Sequence, residues 1–234
     1  MRILLAAGIG AVIAVGTACG GSNPGSGSET LYVSAELTSD GTPDGTWVIV
    51  DVREGHSDGP FVNDATVTLR GDRTGEVDAP WQGVSFGQWQ AGWWYGSNGL
   101  NWDTGWALSV KRRNGSNDGL EAYLQVPGFT EITQPIYDTT FRVSDGQPLV
   151  VKWRDNEGRR AEMVTVELGD PGSPHFRRQL NDDPLQLSIE LSNVMVTDTE
   201  RVTVSRRSDL NLAGGTPGSV FSAVTFHRVP FHVQ

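Results

Sequence analysis

Apolar and polar residues alternate with a period of two along most of the chain after residue 30. Clear examples lie at 31–37, 48–52, 65–69, 106–110 and 120–126. Successive side chains of a β-strand point to opposite faces of its sheet, so each segment is predicted to be a strand with one buried face. A turn rich in Gly and Asn at 114–119 separates the last two segments and predicts a hairpin. The chain is therefore predicted to be all-β.

A second set of alternating segments follows residue 135. They lie at 149–153, 164–168, 185–191, 202–204 and 220–233, and the last is predicted to be two strands divided near Arg228. Between the two sets, Pro127 and Pro135 bracket a stretch without clean alternation, as in a joint between domains. About seven strands in roughly 100 residues is typical of an immunoglobulin or fibronectin type III sandwich. We predict two tandem antiparallel β-sandwich domains, at 30–130 and 135–234.

Two segments resemble known domain families. The segment 61–71, where the small residue Ala65 precedes a V-x-L strand, resembles the opening of carboxypeptidase regulatory-like and related immunoglobulin-like domains. The segment 149–168, in which Trp153 ends one strand and a charged turn precedes the next, resembles fibronectin type III-like and immunoglobulin-like domains of bacterial surface lipoproteins. These resemblances imply a sandwich fold and carry over no functional residue.

The N-terminus has the organisation of an export signal. Arg2 precedes an uncharged apolar run at 3–15, and small residues lead to Cys19, the only cysteine in the chain. The apolar run is too short to span a membrane as a mature helix, which favours a cleaved signal peptide at 1–18. The alternatives are a signal without lipidation, or an ordinary buried thiol.

The residues around Cys19 resemble a bacterial lipoprotein signal, although Gly16 departs from the usual large aliphatic residue. The resemblance implies cleavage before Cys19, a covalent lipid such as palmitate on that residue, and anchoring to the cell envelope. Because Gly20 rather than Asp follows the cysteine, the resemblance favours the outer membrane in a Gram-negative host. Residues 19–29 are rich in Gly and Ser and are predicted to be a flexible, lipidated tether.

The charge and the reactive residues narrow the range of functions. The net charge of −10 argues against nucleic acid as a partner. The chain has four histidines and none of the familiar catalytic or phosphate-binding motifs. His227 and His232 could form a metal pair and the Asp-rich turns could bind calcium, but solvent-exposed histidines and ordinary turn chemistry are the favoured interpretations. We expect no catalytic residue, no metal site and no cofactor other than the lipid on Cys19.

Six of the eight tryptophans lie between residues 81 and 106, among glycines and side-chain amides. Flat rings beside amides can bind sugars, but large aromatic rings also fill protein cores. Alternation places Trp106 in the core. The neighbours Trp93 and Trp94 must point to opposite faces if they lie in a strand, and Trp89 and Trp102 lie in Gly-rich connections. We expect one ring of the pair Trp93 and Trp94 to be exposed, together with Trp89 or Trp102, and these four tryptophans are the candidate ligand-binding residues.

The sequence thus predicts a non-catalytic, lipid-anchored protein of the cell envelope that acts as a structural or protein-interaction module. Its predicted partners are the membrane, through the lipid, and an envelope protein or glycan. The alternative function is binding of an envelope glycan through the Trp-rich segment 81–106. An enzyme of unknown type is the third possibility.

Overall fold

The computed structural model describes residues 22–42, 44–82, 88–92, 100–113, 119–155 and 157–234. In the first half, the strands are β1 Asn23–Gly27, β2 Leu31–Ser39, β3 Thr46–Glu54, β4 Ala65–Gly71, β5 Gly75–Ala79, β6 Trp89–Gly92, β7 Gly105–Arg112 and β8 Gly119–Gln125. In the second half, they are β9 Thr130–Gln134, β10 Thr140–Phe141, β11 Leu149–Asp155, β12 Met163–Asp170, β13 Ser173–Leu180, β14 Gln186–Ile189, β15 Thr197–Asn211 and β16 Val220–Val233. The all-β prediction is confirmed. Within the described ranges, no helix is long and apolar enough to cross a lipid bilayer.

One long sheet forms a layer that runs through both halves of the molecule. Its strand order is β13-β12-β15-β16-β2-β3-β6, and β10 pairs with the end of β16. A five-stranded sheet of order β1-β8-β7-β4-β5 covers the part that contains β2, β3 and β6. A three-stranded sheet of order β14-β11-β9 covers the part that contains β12 and most of β15. The result is two sandwiches that share a continuous sheet.

The apolar core forms one cluster in each sandwich, and alternation places its members. In the first cluster, Leu69, Trp106 and Leu108 face the inward residues of β2 and β3. In the second, Val151 and Trp153 face Val204 and its neighbours on the long sheet. The predicted hairpin of β7 and β8 is confirmed, because these strands pair in antiparallel register.

The last two strands contribute to both clusters. Phe221 of β16 and Leu212, directly after β15, pack in the first cluster, whereas Val202 and Val229 pack in the second. The expected division of 220–233 near Arg228 is wrong, because no turn residues interrupt the segment and its inward-facing residues continue in one strand. β16 also pairs in parallel with β2, so residues 220–225 lie beside residues 34–39. The sequence predicts that 30–130 and 135–234 fold separately, whereas these shared strands lead us to expect that 135–234 depends on the first half of the chain.

The tether prediction is wrong for Asn23–Gly27, which form β1 and pair with β8. The glycines here permit close packing instead of flexibility. A Cβ atom on Gly25 would lie 1.8 Å from the carbonyl oxygen of Glu121, and one on Gly27 would lie 2.4 Å from that of Gly214. Gly25 also has a φ of +85°, which side chains rarely adopt.

Two other segments differ from the sequence prediction in extent. The predicted joint at 127–135 contains β9, which pairs with β11 as part of the three-stranded sheet. The predicted strand at 185–191 is shorter, because β14 spans only Gln186–Ile189 and a short 3-10 helix, Leu191–Asn193, follows it.

Candidate ligand-binding surface

The outer face of the five-stranded sheet forms an open groove of about 770 Å³. The alternation that buries Val67 and Leu69 of β4 places Thr66, Thr68 and Arg70 on this face. Its other lining residues are mostly short or charged side chains of the neighbouring strands: Asn23, Ser26, Glu76, Ala107, Ser109, Lys111, Glu121 and Tyr123. The groove therefore offers hydroxyl groups along its floor and charges of both signs.

The charged residues of the groove differ in their partners. Lys111 and Glu121 form an ion pair of 2.6 Å across β7 and β8. Arg70 lies opposite Glu76 in the pairing of β4 with β5, and Arg70 forms no salt bridge with a described residue. A polar ligand in the groove could therefore bind Arg70 without breaking an ion pair.

Tyr123 occupies the end of the groove beside the turn between β4 and β5. Its hydroxyl donates to Asp72 at 2.9 Å. Burial, together with the hydrogen bond to Asp72 and its charge, raises the pKa of Tyr123 to about 12, so the phenol stays neutral. Asp103 supports the same turn by accepting hydrogen bonds from the backbone N–H groups of Arg73 and Thr74 at 2.6 and 2.9 Å. Burial opposes ionisation of Asp103, but backbone hydrogen bonds outweigh it and lower the pKa of that carboxyl.

An aromatic cluster lies beside the groove. The ring centroids of Trp81 and Trp89 are 4.5 Å apart, and those of Phe61 and Trp81 are 6.5 Å apart. Phe61 is 42% exposed, and the guanidinium of Arg53 lies 4.0 Å from its ring centroid, within the range of a cation–π interaction. Thr66 lines both the groove and a cavity of about 250 Å³ next to Trp81 and Trp89. The groove and the cavity therefore meet at Thr66.

The candidate tryptophans that the structure describes are buried in different contacts. Trp89 and Trp102 are only 1% and 6% exposed, so the expectation that one of these rings would be accessible is wrong. Trp89 packs against Trp81, and the indole N–H of Trp102 donates to the carbonyl oxygen of Pro127 at 2.8 Å. Trp106 is fully buried, as predicted. Trp93 and Trp94 lie outside the described residues, so their role in ligand binding stays a prediction, as does the lipidation of Cys19.

His227 and His232 have separate environments. His227 Nδ1 accepts a hydrogen bond of 3.0 Å from the backbone N–H of Ile132, and burial lowers the pKa of His227. His232 contacts Asp138 and Asp198 instead. Among the described residues, no three His, Cys, Asp or Glu side chains are grouped as metal ligands would be.

A buried ionic network joins the two sandwiches. The Asp183 carboxylate accepts hydrogen bonds from Arg206 Nε at 2.8 Å and from the indole N–H of Trp153 at 2.9 Å. Arg206 also donates to the carbonyl oxygens of Gly128 and Arg159, each at 2.8 Å. The Arg206 and Asp183 side chains are fully buried, and their polar atoms are engaged with each other and with the backbone. This arrangement suits a structural role and offers no reactive group.

The alternation of apolar and polar residues does not by itself reveal this network, although the sequence carries one signal of it. Arg206 follows Val202 and Val204 at an inward-facing position of an alternating strand. A charged residue at a core position requires a buried partner, because an unpaired charge in the core is very costly. The partner, Asp183, precedes β14 and could not be found from local pattern.

Comparisons with known proteins assign no family. No family model matches the chain, and no curated protein matches it. Similar solved structures include the FN1–FN3 domains of chicken CNTN1, at 14% identity and a TM-score of 0.32, with 86% of this chain and 68% of that chain covered. A Ca²⁺-stabilised adhesin with which an Antarctic bacterium binds ice is 13% identical, with a TM-score of 0.28 and coverage of 87% and 49%. The IG1+IG2 domains of DIP-gamma are 9% identical, with a TM-score of 0.23 and coverage of 86% and 95%. At TM-scores this low, the fold assignment rests on the strands and sheets described above.

Proposed function

We propose that this protein is a non-catalytic interaction module of the bacterial cell envelope, anchored by lipid on Cys19, that binds a protein partner in the groove of its five-stranded sheet. The position of β1 is the observation that supports this proposal most directly. β1 forms one wall of the groove and begins at Asn23, so only residues 20–22 separate it from Cys19. Three extended residues span at most about 11 Å. A lipid on Cys19 would therefore hold the groove close to the membrane surface.

The chemistry of the groove suits a polar partner. Thr66 and Thr68 present hydroxyl groups on β4, and Ser109 lies opposite Thr68 on β7. Arg70 can make charge-assisted hydrogen bonds. The positive and negative side chains of the lining balance, which favours a mixed polar surface over a highly charged ligand. The groove also lies on a rigid sheet, so little ordering of the site opposes binding.

The test combines anchoring with binding. A photo-crosslinking amino acid at Ser109 should give a discrete crosslinked product in intact envelopes when Cys19 is present. Cys19→Ser should move the protein from the membrane pellet to the soluble fraction, because acyl chains contribute about 0.8 kcal/mol per buried methylene. The amount of crosslinked product should also be lower in Cys19→Ser than in the wild type. Immunoblots of fractionated, irradiated cells measure both effects.

Two controls separate anchoring from binding in the groove. Ser26→Ala leaves Cys19 intact and should stay in the pellet. Thr68→Trp places a large ring in the groove and should remove the crosslinked product without changing fractionation. Equal pelleting of wild type and Cys19→Ser would refute the anchor, whereas a product that persists with Thr68→Trp would refute the groove as the binding site.

A second candidate function is binding of an envelope glycan at the aromatic cluster. The observation in its favour is that Phe61 and Trp81 are partly accessible beside a small cavity that Thr66, Asp78 and Arg113 also line. An aromatic face can stack on a sugar ring while neighbouring polar side chains bind its hydroxyl groups. In this interpretation Phe61 and Trp81 take the ligand-binding role that the sequence predicts for Trp89, Trp93, Trp94 and Trp102.

Phe61→Ala is expected to weaken retention on peptidoglycan several-fold, because an aromatic contact contributes about 0.5–1.5 kcal/mol. Phe61 is the best position because its exposure lets the ring be removed with little loss of packing. Tyr137→Ala is the matched control. Tyr137 is 70% exposed in the segment before β10, away from the aromatic cluster, and its removal should not affect retention. Retention that both variants reduce equally, or that neither reduces, would exclude this site.

A further inference from the structure

His232, near the end of β16, connects two segments that lie on either side of this strand. Its Nδ1 contacts the backbone carbonyl oxygen of Asp198 on β15. Its Nε2 lies 2.8 Å from a carboxylate oxygen of Asp138, in the segment before β10. A carbonyl oxygen and a carboxylate can only accept hydrogen bonds, so both ring nitrogens must donate. Only the doubly protonated, positively charged imidazolium ring can make both contacts.

The segment around Asp138 depends on such contacts for its conformation. Asp138 has a φ of +61°, in the left-handed region that residues other than glycine seldom occupy. Its backbone N–H donates to the carbonyl oxygen of Pro230 at 3.0 Å, and the backbone N–H of His232 donates to Thr139 at 2.8 Å. The side-chain contact with His232 is therefore one of a few interactions that hold this conformation.

The two connected segments carry exposed apolar side chains. Ile136 and Tyr137 are 65% and 70% exposed, and both precede Asp138 directly. Met195 and Val196 are 56% and 69% exposed, and both lie just before β15. Among the described residues, these four and Phe61 are the large hydrophobic side chains with substantial exposure. The position of His232 thus links the two segments where most of this apolar surface lies.

We propose that His232 is a pH-dependent clip that holds the segment 136–139 and the start of β15 against β16, and so fixes how these exposed apolar side chains are presented. The ionisable groups that face its ring are Asp138 and Asp198. Other charged residues of β15 are engaged elsewhere, since Glu200 lies 3.3 Å from His175 and Arg201 pairs with Asp170 at 2.5 Å. β10 contributes only Thr140 and Phe141, which do not ionise in this range.

The direction of the pH response follows from these contacts. The hydrogen bond to Asp138, followed by the contact with Asp198, raises the pKa of His232. A group whose pKa is raised in the folded state contributes its full stabilisation below its unfolded pKa and loses it as the pH rises through the folded value. Above that pH the neutral ring has one N–H group and can keep only one of its two acceptors. The clip is therefore closed at pH values below the pKa of folded His232 and open above it.

NMR titration of the protein lacking residues 1–21 tests the proposal. The ring signals of His232 and the backbone amide signals of 136–139 should titrate with the same midpoint. Asp138→Asn, which also tolerates the left-handed conformation, should shift the His232 midpoint to lower pH. In His232→Gln the amide signals of 136–139 should stay, at every pH, near the chemical shifts that the wild type reaches at high pH.

Either of two results would overturn the clip. The first is a titrating His232 ring whose midpoint the amides of 136–139 do not follow. The second is an unchanged His232 midpoint in Asp138→Asn. Amide signals outside these segments should be the same in both variants as in the wild type. This control shows that each variant retains the fold.

Discussion

Asp183→Asn is expected to lower the free energy of unfolding by about 3 to 5 kcal/mol, the usual cost of breaking a buried ion pair from one side. The substitution keeps the volume of the side chain but leaves the Arg206 guanidinium buried without its main counter-charge. It also replaces one of two accepting oxygens with an NH₂ group: Oδ2 accepts from Arg206 and from the backbone N–H of Ala161, and Oδ1 accepts from Trp153, so the donors on one side lose their acceptor. Asp155, 3.3 Å from Arg206 Nη2, retains part of the charge balance. Urea unfolding followed by tryptophan fluorescence measures the loss.

The matched control for this prediction is Glu121→Gln, which breaks the exposed ion pair with Lys111. Exposed pairs contribute about 0 to 1 kcal/mol, so this variant should unfold near the wild-type midpoint. A loss for Asp183→Asn as small as that for Glu121→Gln would show that the network contributes little.

Strands could be predicted from the sequence because alternation is a local property. The residues of β7 and β8 alternate on either side of a Gly- and Asn-rich turn, and a hairpin is the arrangement that brings both apolar faces to one core. Pairing between distant segments has no such local signal. Nothing in the residues around Ser34 or Val220 indicates that they lie side by side in parallel strands, because alternation identifies the buried face of a strand and not its neighbour.

The candidate site was harder to predict because composition does not determine which side chains point to solvent, or whether a glycine provides flexibility or close packing. The glycines near β1 and near Trp102 predict flexible connections by composition alone, whereas in the structure Gly25 and Gly27 let two backbones approach closely. Trp102 is buried because its indole N–H finds a backbone acceptor at Pro127. Phe61 and Trp81 gain importance only when the fold brings them together with Arg53.

A fragment of residues 135–234 is expected to lose the cooperative thermal unfolding of residues 22–234, although alternation predicts that it folds alone. The fragment lacks β9, which pairs with β11 through Ile132 and Trp153. It also lacks β2, so the apolar residues Leu212 and Phe221 would lose the first cluster that covers them. Burying a side chain of that size contributes about 1.5–3 kcal/mol, so the two together account for about 3–6 kcal/mol of the roughly 5–15 kcal/mol that stabilises a typical domain.

A second fragment, residues 128–234, distinguishes the effect of losing β9 from the effect of losing β2. It restores β9 and the carbonyl oxygen of Gly128 that Arg206 requires, but it does not restore β2. We expect it to be more structured than 135–234 by near-ultraviolet circular dichroism, and to regain a cooperative transition when residues 22–127 are added as a separate chain. That recovery would follow from the parallel pairing of β16 with β2, which completes both sandwiches at once. A cooperative transition of 135–234 alone, at a temperature near that of residues 22–234, would instead establish the fragment as an independent domain. The shared strands would then be an interface between two separately stable units.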